Sequence, residues 1–243
     1  MNQFEHATKL FIAMRDIAWR MPDEIYLNHW DQKPIDRRYV LATFADAYKT
    51  IELFCEGMKT AAIIQCGMLL RLLLEQTAIV GTLVSHPELL PNYIKHFKLR
   101  LSINGLSKTE QIKRIKKEFS FDEKKISPLQ FLDYGWLGNG IEKEPNKENA
   151  LIKRAGFNDC ISWKKQILDK FAHQSMNFVN VADKDNGSKL TIPFAEISGK
   201  LTDHLSCAFH AFTGFEFVWD KVNLFQDIFR PLFASFDPKE NRL

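Results

Sequence analysis

A chain of 243 residues sits near the upper end for one domain and is long enough to bury a large core. Hydrophobic residues make up 45% and charged residues 26%, which excludes a disordered polymer; 20 Phe and 5 Trp call for a bulky core, and 11 Gly with 9 Pro are few for a turn-rich sheet protein. The net charge of +3 names no partner, but it is unevenly placed: Lys95 to Lys125 holds ten Lys/Arg against four Asp/Glu, and the remainder holds 23 against 26.

Taken in chain order, the pattern predicts an all-α protein, a single multi-helix bundle over residues 1–243. Phe4–Trp19 carries apolar residues at helical spacing, and Pro22 marks its end. Asp23–Pro34 reads as an irregular link. Asp36 can cap a second helix that runs to about Glu56, and Gly57 breaks or bends the chain before an unusually apolar helix near 58–84. Pro87 stops that helix, because proline disfavours a helical residue before it. A further helix follows over Pro87–Leu101, and Ser107-Lys-Thr-Glu110 fits a capping box that opens a short basic helix to about Phe119.

Residues 120–158 are the least regular part and read as an irregular insertion of short helices, including Pro128–Tyr134, joined by loops. Asp159 or Ser162 starts another helix to about Ala182. Val181–Phe194 holds an Asp-Asn-Gly-Ser turn at 185–188 between apolar flanks, the one place for a small β-hairpin. A long aromatic helix or broken helix pair then spans Glu196 to about Phe229, before Pro231. No fixed-period repeat or linker divides the chain.

Two location tests bear on partners. Ala61–Val84 is long enough to cross a bilayer, yet Arg71 and Glu75 sit near its middle, each costing about 2.5–3.5 kcal/mol on insertion. A buried helix inside protein explains the run better, so no membrane is expected. The N-terminus lacks the apolar run of a signal peptide. The four cysteines (Cys55, Cys66, Cys160, Cys207) show no metal spacing and read as reduced core thiols of a cytoplasmic protein.

Chemistry has few places to reside. Arg71 and Glu75 are the only charges between Lys59 and His86, and their i, i+4 spacing puts them on one helix face with Gly67, Ala78 and Thr82 on or near it. Arg before Glu is the weaker order for an intrahelical pair, so each is expected to seek partners on neighbouring helices. The plain reading is a buried ion pair that fixes register; the sharper one is a binding or catalytic cleft. Lys113, Arg114, Lys116 and Lys117 line the basic helix and offer a weak nucleic-acid-binding face, against the plain reading of an amphipathic surface helix with Ile112, Ile115 and Phe119 inward. His204, Cys207 and His210 drift around their helix and cannot easily converge on one ion, so no metal and no cofactor is expected. Ser162-Trp-Lys-Lys165 and Gly135-x-x-Gly138-x-Gly140 match fragments of catalytic and nucleotide motifs without the elements that would confirm them.

Met68-Leu-Leu-Arg71-Leu-Leu-Leu-Glu75, then His86-Pro-Glu-Leu-Leu-Pro-Asn-Tyr93 and a basic helix, resembles a bacterial all-helical domain family of undetermined activity over roughly residues 40–180. In that family an Arg-x-x-x-Glu helix is followed much later by a characteristic His, which Phe171-Ala-His173-Gln-Ser175 matches here. The resemblance implies a helical fold and a polar cluster of Arg71, Glu75 and His173. Periodicity sets His173 on the polar side of its helix, opposite Ile167, Leu168 and Phe171, so it joins such a cluster only if a second helix covers that side. HEPN-type helical bundles are a natural comparison, but their Arg, four to six residues, His signature has no counterpart in this chain. The leading expectation is a non-enzymatic binding or interaction module, dimeric through its aromatic C-terminal helix. The alternative is a HEPN-like nucleotide- or RNA-processing enzyme using the Arg/Glu/His cluster.

Overall fold

In α1 (Gln3–Glu24) the residues Ala7, Leu10, Met14, Ala18 and Met21 recur at helical spacing and are buried. The computed structural model of the protein describes residues 3–60, 62–138, 141–172 and 184–215. Pro22 does not end α1 but lies within its last turn, and the chain stays helical through a π-helical turn, Ile25–His29. Ile25 continues the buried stripe, so burial outweighs the hydrogen bond that proline removes. The expected irregular link from Asp23 is therefore helical as far as His29.

α2 (Ile35–Lys59) begins with Pro34 as its N-cap, without the side-chain bond expected of Asp36. It runs through Gly57 to Lys59, and α3 (Ile63–Ser85) starts four residues further on, so the expected helix near 58–84 is in fact the end of one helix and the whole of the next. α3 packs between α2 and α10 (Lys184–Thr213), with α1 closing against α2 and α10. Half of the apolar window of α3 is buried inside the protein, although its length and composition alone would let it cross a membrane.

Around this four-helix core the chain adds α4 (Leu90–Ile103), α5 (Lys108–Glu118) and α6 (Pro128–Tyr134). These enclose a second, smaller cluster of Ile103, Ile115, Phe121, Ile126 and Leu132. Ser107 caps α5 through the reciprocal bonds of a capping box with Glu110. The stretch expected to be an irregular insertion contributes to the main core: Trp136, Leu151, Ile152 and Phe157 are buried there, and α7 (Lys147–Arg154) packs on α3. α8 (Cys160–Trp163), a π-helical turn (Lys164–Leu168) and α9 (Asp169–Ala172) follow, all set against α3 except α8, which joins α7.

No strand occurs among the described residues, and the protein is an all-α bundle. The expected hairpin at 181–194 is corrected over 184–194: that segment is the start of α10, and residues 181–183 lie outside the described ones. Leu190, Phe194, Ile197, Leu201 and Leu205 are all buried at steps of three and four, a helical face that overrides the turn preference of Asp185-Asn-Gly-Ser188. The expected C-terminal helix from 196 to 229 thus begins earlier, and its described part ends at Thr213. Phe194 and Phe209 in that part are buried within the chain and Phe212 is half-buried; residues 216–229 lie outside the described ones. Cys55, Cys66 and Cys160 are buried thiols whose pKa values burial pushes up to about 12. Cys207 departs from the expectation of a core thiol, because it is exposed.

His96 gives the smaller cluster a pH dependence. Its ring lies between Phe119 and Phe131, with centroids at 4.2 and 4.9 Å, is 1% exposed, and donates Nδ1–H to the Phe131 carbonyl at 3.1 Å. Burial lowers its pKa to about 4 from 6.5, against the opposing pull of the backbone carbonyls of Phe131 and Leu132. Between those values the unfolded chain binds a proton that the folded chain refuses, so stability falls as the pH drops. Between pH 7 and pH 5 urea unfolding is expected to show a loss of about 2 kcal/mol from this group. A His96→Asn variant, whose amide can keep the bond to Phe131, should lose that slope; an unchanged slope would assign the pH dependence to other groups.

Candidate functional site

Arg71 lies near the middle of α3, and α3 is held on several sides at once. Both terminal nitrogens of its guanidinium fork onto the carboxylate of Glu148 from α7. Its Nε donates to Oδ1 of Asp169, the first residue of α9, at 3.2 Å. Lys164 closes the ring: its Nζ reaches Asp169 Oδ2 at 3.1 Å and Glu148 Oε2 at 3.3 Å. Two cations therefore meet two anions in a neutral set whose Lys164 side chain is 3% exposed and whose Glu148 side chain is 10% exposed. Such burial is tolerated only because each charge has an opposite partner and a hydrogen bond.

Local backbone explains the convergence. In an ordinary α-helix residues five apart point 140° away from each other. Lys164 and Asp169 are five apart, but the π-helical turn Lys164–Leu168 between them has i→i+5 geometry, which brings both side chains onto one face. Asn146 caps α7 by accepting from the Asn149 backbone N–H, fixing the first turn that carries Glu148. One turn before Arg71, Gly67 lets Phe171 lie directly on α3: a Cβ there would stand 2.3 Å from the Phe171 ring. The edge of Phe171 in turn meets Phe194 of α10, with centroids at 5.5 Å.

Glu75 belongs to a different set. It accepts the Tyr134 hydroxyl at 3.2 Å, and no ion pair joins it to Arg71 among the described residues. Burial, reinforced by Glu75 itself, raises the Tyr134 pKa well above the ordinary tyrosine value, so the phenol stays a donor. Next to it Asp133 pairs with Arg100 of α4, though burial still raises the Asp133 carboxyl above its usual range. The two charges of α3 thus look in two directions, Arg71 to α7 and α9, Glu75 to α6. His173 lies outside the described residues.

The basic face of α5 is partly committed as well. Lys116 pairs with Glu123 at 2.5 Å and Arg114 donates to the Ser102 carbonyl at 3.2 Å, while Lys113 and Lys117 are exposed. Ile115 is buried beneath them. His204 stacks on Phe157 at 4.4 Å, and His210 bonds the Phe215 carbonyl at 2.7 Å. No group of three or more His, Cys, Asp or Glu among the described residues is placed to hold a metal.

A cleft of about 420 Å³ opens about four turns further along α3, beside His86, and neither Arg71 nor Glu75 lines it. Leu137, Ile141 and Ala150 lie at its base, with Lys153 and Arg154 of α7 at its edge. Comparison with known proteins adds no identity: no family, no curated protein and no solved structure matches the chain.

Glu148, Lys164 and Asp169 are the partners that sequence reasoning did not find. Glu148 closes a strongly polar tract that reads as loop, and Asp169 falls on the polar side of its helical wheel. The one available signal was the unfavourable Arg-to-Glu order in α3, which requires acceptors elsewhere without saying where.

Proposed function

We propose that the protein is a non-enzymatic helical binding or interaction module, in which the charges of α3 serve the fold and not a reaction. The observation that supports this most is the closure of Arg71: its Nε and both terminal nitrogens are engaged by Glu148 and Asp169, and Lys164 neutralises the second acid. An anion clamp for catalysis needs donors directed at the place where substrate charge develops. Here the donors are directed at carboxylates of the same chain. Glu75 likewise accepts from Tyr134 and belongs to a different set of side chains from Arg71.

The test is a turnover assay of the purified full chain on ribonucleotides and on single-stranded RNA, with Arg71→Lys alongside. Lysine keeps the charge but cannot fork onto Glu148. The reading expects no turnover above buffer for either protein and a less stable Arg71→Lys. Turnover by the native chain that disappears in a folded Arg71→Lys variant would overturn it.

A further inference from the structure

The cleft beside His86 has a wall held from three directions. The buried Trp136 donates its indole N–H to the Asp133 carbonyl at 2.7 Å, and Asn92 of α4 donates to the Trp136 carbonyl at 3.0 Å. Arg154 of α7 donates to the Leu137 carbonyl. The turn Gly135–Leu137 is thereby tied to α4, α6 and α7 at once, and Gly138 leaves it at φ +98°, a conformation that side chains disfavour. One wall of the cleft is therefore preorganised, and about 420 Å³ falls in the range of small-molecule sites.

Its lining has two characters. Leu137 and Ile141, only 4% and 7% exposed, and the half-buried Ala150 give its base a narrow apolar strip. At the rim stand Lys153 and Arg154, both exposed, with Glu144 as the acid among its described lining residues. Arg154 spends one nitrogen on Leu137 and keeps further donors. Lys153 is exposed and has no acidic partner among the described residues. His86 adds a ring at the end of α3, where Nδ1 faces Glu88 at 3.2 Å. Two exposed cations side by side on α7, next to an apolar base, select one ligand chemistry.

We propose that this cleft binds a small anion carrying an apolar body, an aromatic or short aliphatic carboxylate, sulfonate or phosphate ester. The acid group meets Lys153 and the free donors of Arg154, and the apolar part covers Leu137, Ile141 and Ala150. The proposal deepens the binding-module reading by naming a ligand class, and it rests on that reading only for the absence of chemistry at the cleft.

Titration of the full chain with 8-anilinonaphthalene-1-sulfonate, followed by calorimetry, tests it. One probe should bind per chain, and Lys153→Glu, a surface change on α7 that leaves the core alone, should weaken binding at least tenfold. Lys153→Arg should bind as the native chain does, and Ala150→Trp, which fills the floor, should abolish binding. Equal affinity in Lys153→Glu and the native chain, or no saturable binding up to millimolar probe, would overturn the proposal. If RNA or nucleotide turnover is found and is lost in Arg71→Lys while Lys153→Glu still weakens the probe, the non-enzymatic reading fails and the cleft stands. The reverse pattern removes the cleft and leaves the other reading in place.

Discussion

Replacing Arg71 by methionine is expected to destabilise the protein by about 3 kcal/mol, read as a lower urea midpoint at unchanged slope. Methionine matches the length of the arginine stem, so packing along α3 is largely kept and the effect isolates the charge. Without Arg71, Glu148 and Asp169 share Lys164 alone, leaving one negative charge uncompensated in a site where Glu148 is 10% exposed. Removing one partner of a buried pair costs about 3–5 kcal/mol, and the partial exposure of Arg71 and Asp169 sets the figure at the low end. For a chain of this size the midpoint of heat unfolding should drop by roughly 6–12 °C. A variant as stable as the native chain would mean that the cluster contributes nothing to the fold.

A leucine at Gly67 should cost about 3 kcal/mol or more, from steric conflict and not from charge. The first side-chain carbon would already lie 2.3 Å from the Phe171 ring, and Phe171 cannot retreat because it is 1% exposed and backed by Phe194. Relief requires α9 to move off α3. Asp169 is two residues before Phe171, so such a movement also stretches the bond from Arg71. Calorimetric unfolding of Gly67→Leu checks the cost. Phe171→Ala in the same background should recover part of it, since the small residue vacates the space the leucine needs; no recovery would show that the contact is not what limits position 67.

Helix was legible wherever burial and periodicity agreed. The bodies of α1, α3 and α6 follow from apolar spacing, and Ser107 and Pro87 mark the start of α5 and the stop of α3 close to the residues. Where two local signals disagreed, the long-range one won. Asp185-Asn-Gly-Ser188 is a turn by local preference, yet it lies in α10, because the stripe from Leu190 to Leu205 is buried against α1 and α3. Pro22 and Pro193 both sit inside helices for the same reason, at a cost that burial offsets.

The candidate site was legible only in part, at Arg71. The sequence placed two charges on one face of an apolar helix and required each to find a partner. It could not name Glu148, Lys164 or Asp169, which come from segments 77 to 98 residues away, nor the π-helical turn that aligns two of them. An α-helical wheel assumes 100° per residue, and one π-turn shifts every later position. The cleft beside His86 had no local signature, because its wall and rim come from segments that only the fold brings together.

The most direct test of the structural role of Arg71 is a double-mutant cycle with Glu148, using urea unfolding of Arg71→Met, Glu148→Met and the pair together. A clamp closed within the chain predicts two destabilised single variants and a coupling of about 2 kcal/mol or more, with the double variant less destabilised than the sum of the singles. Additive effects, or an Arg71→Met variant more stable than the native chain, as expected of a strained residue kept for chemistry, would contradict the account.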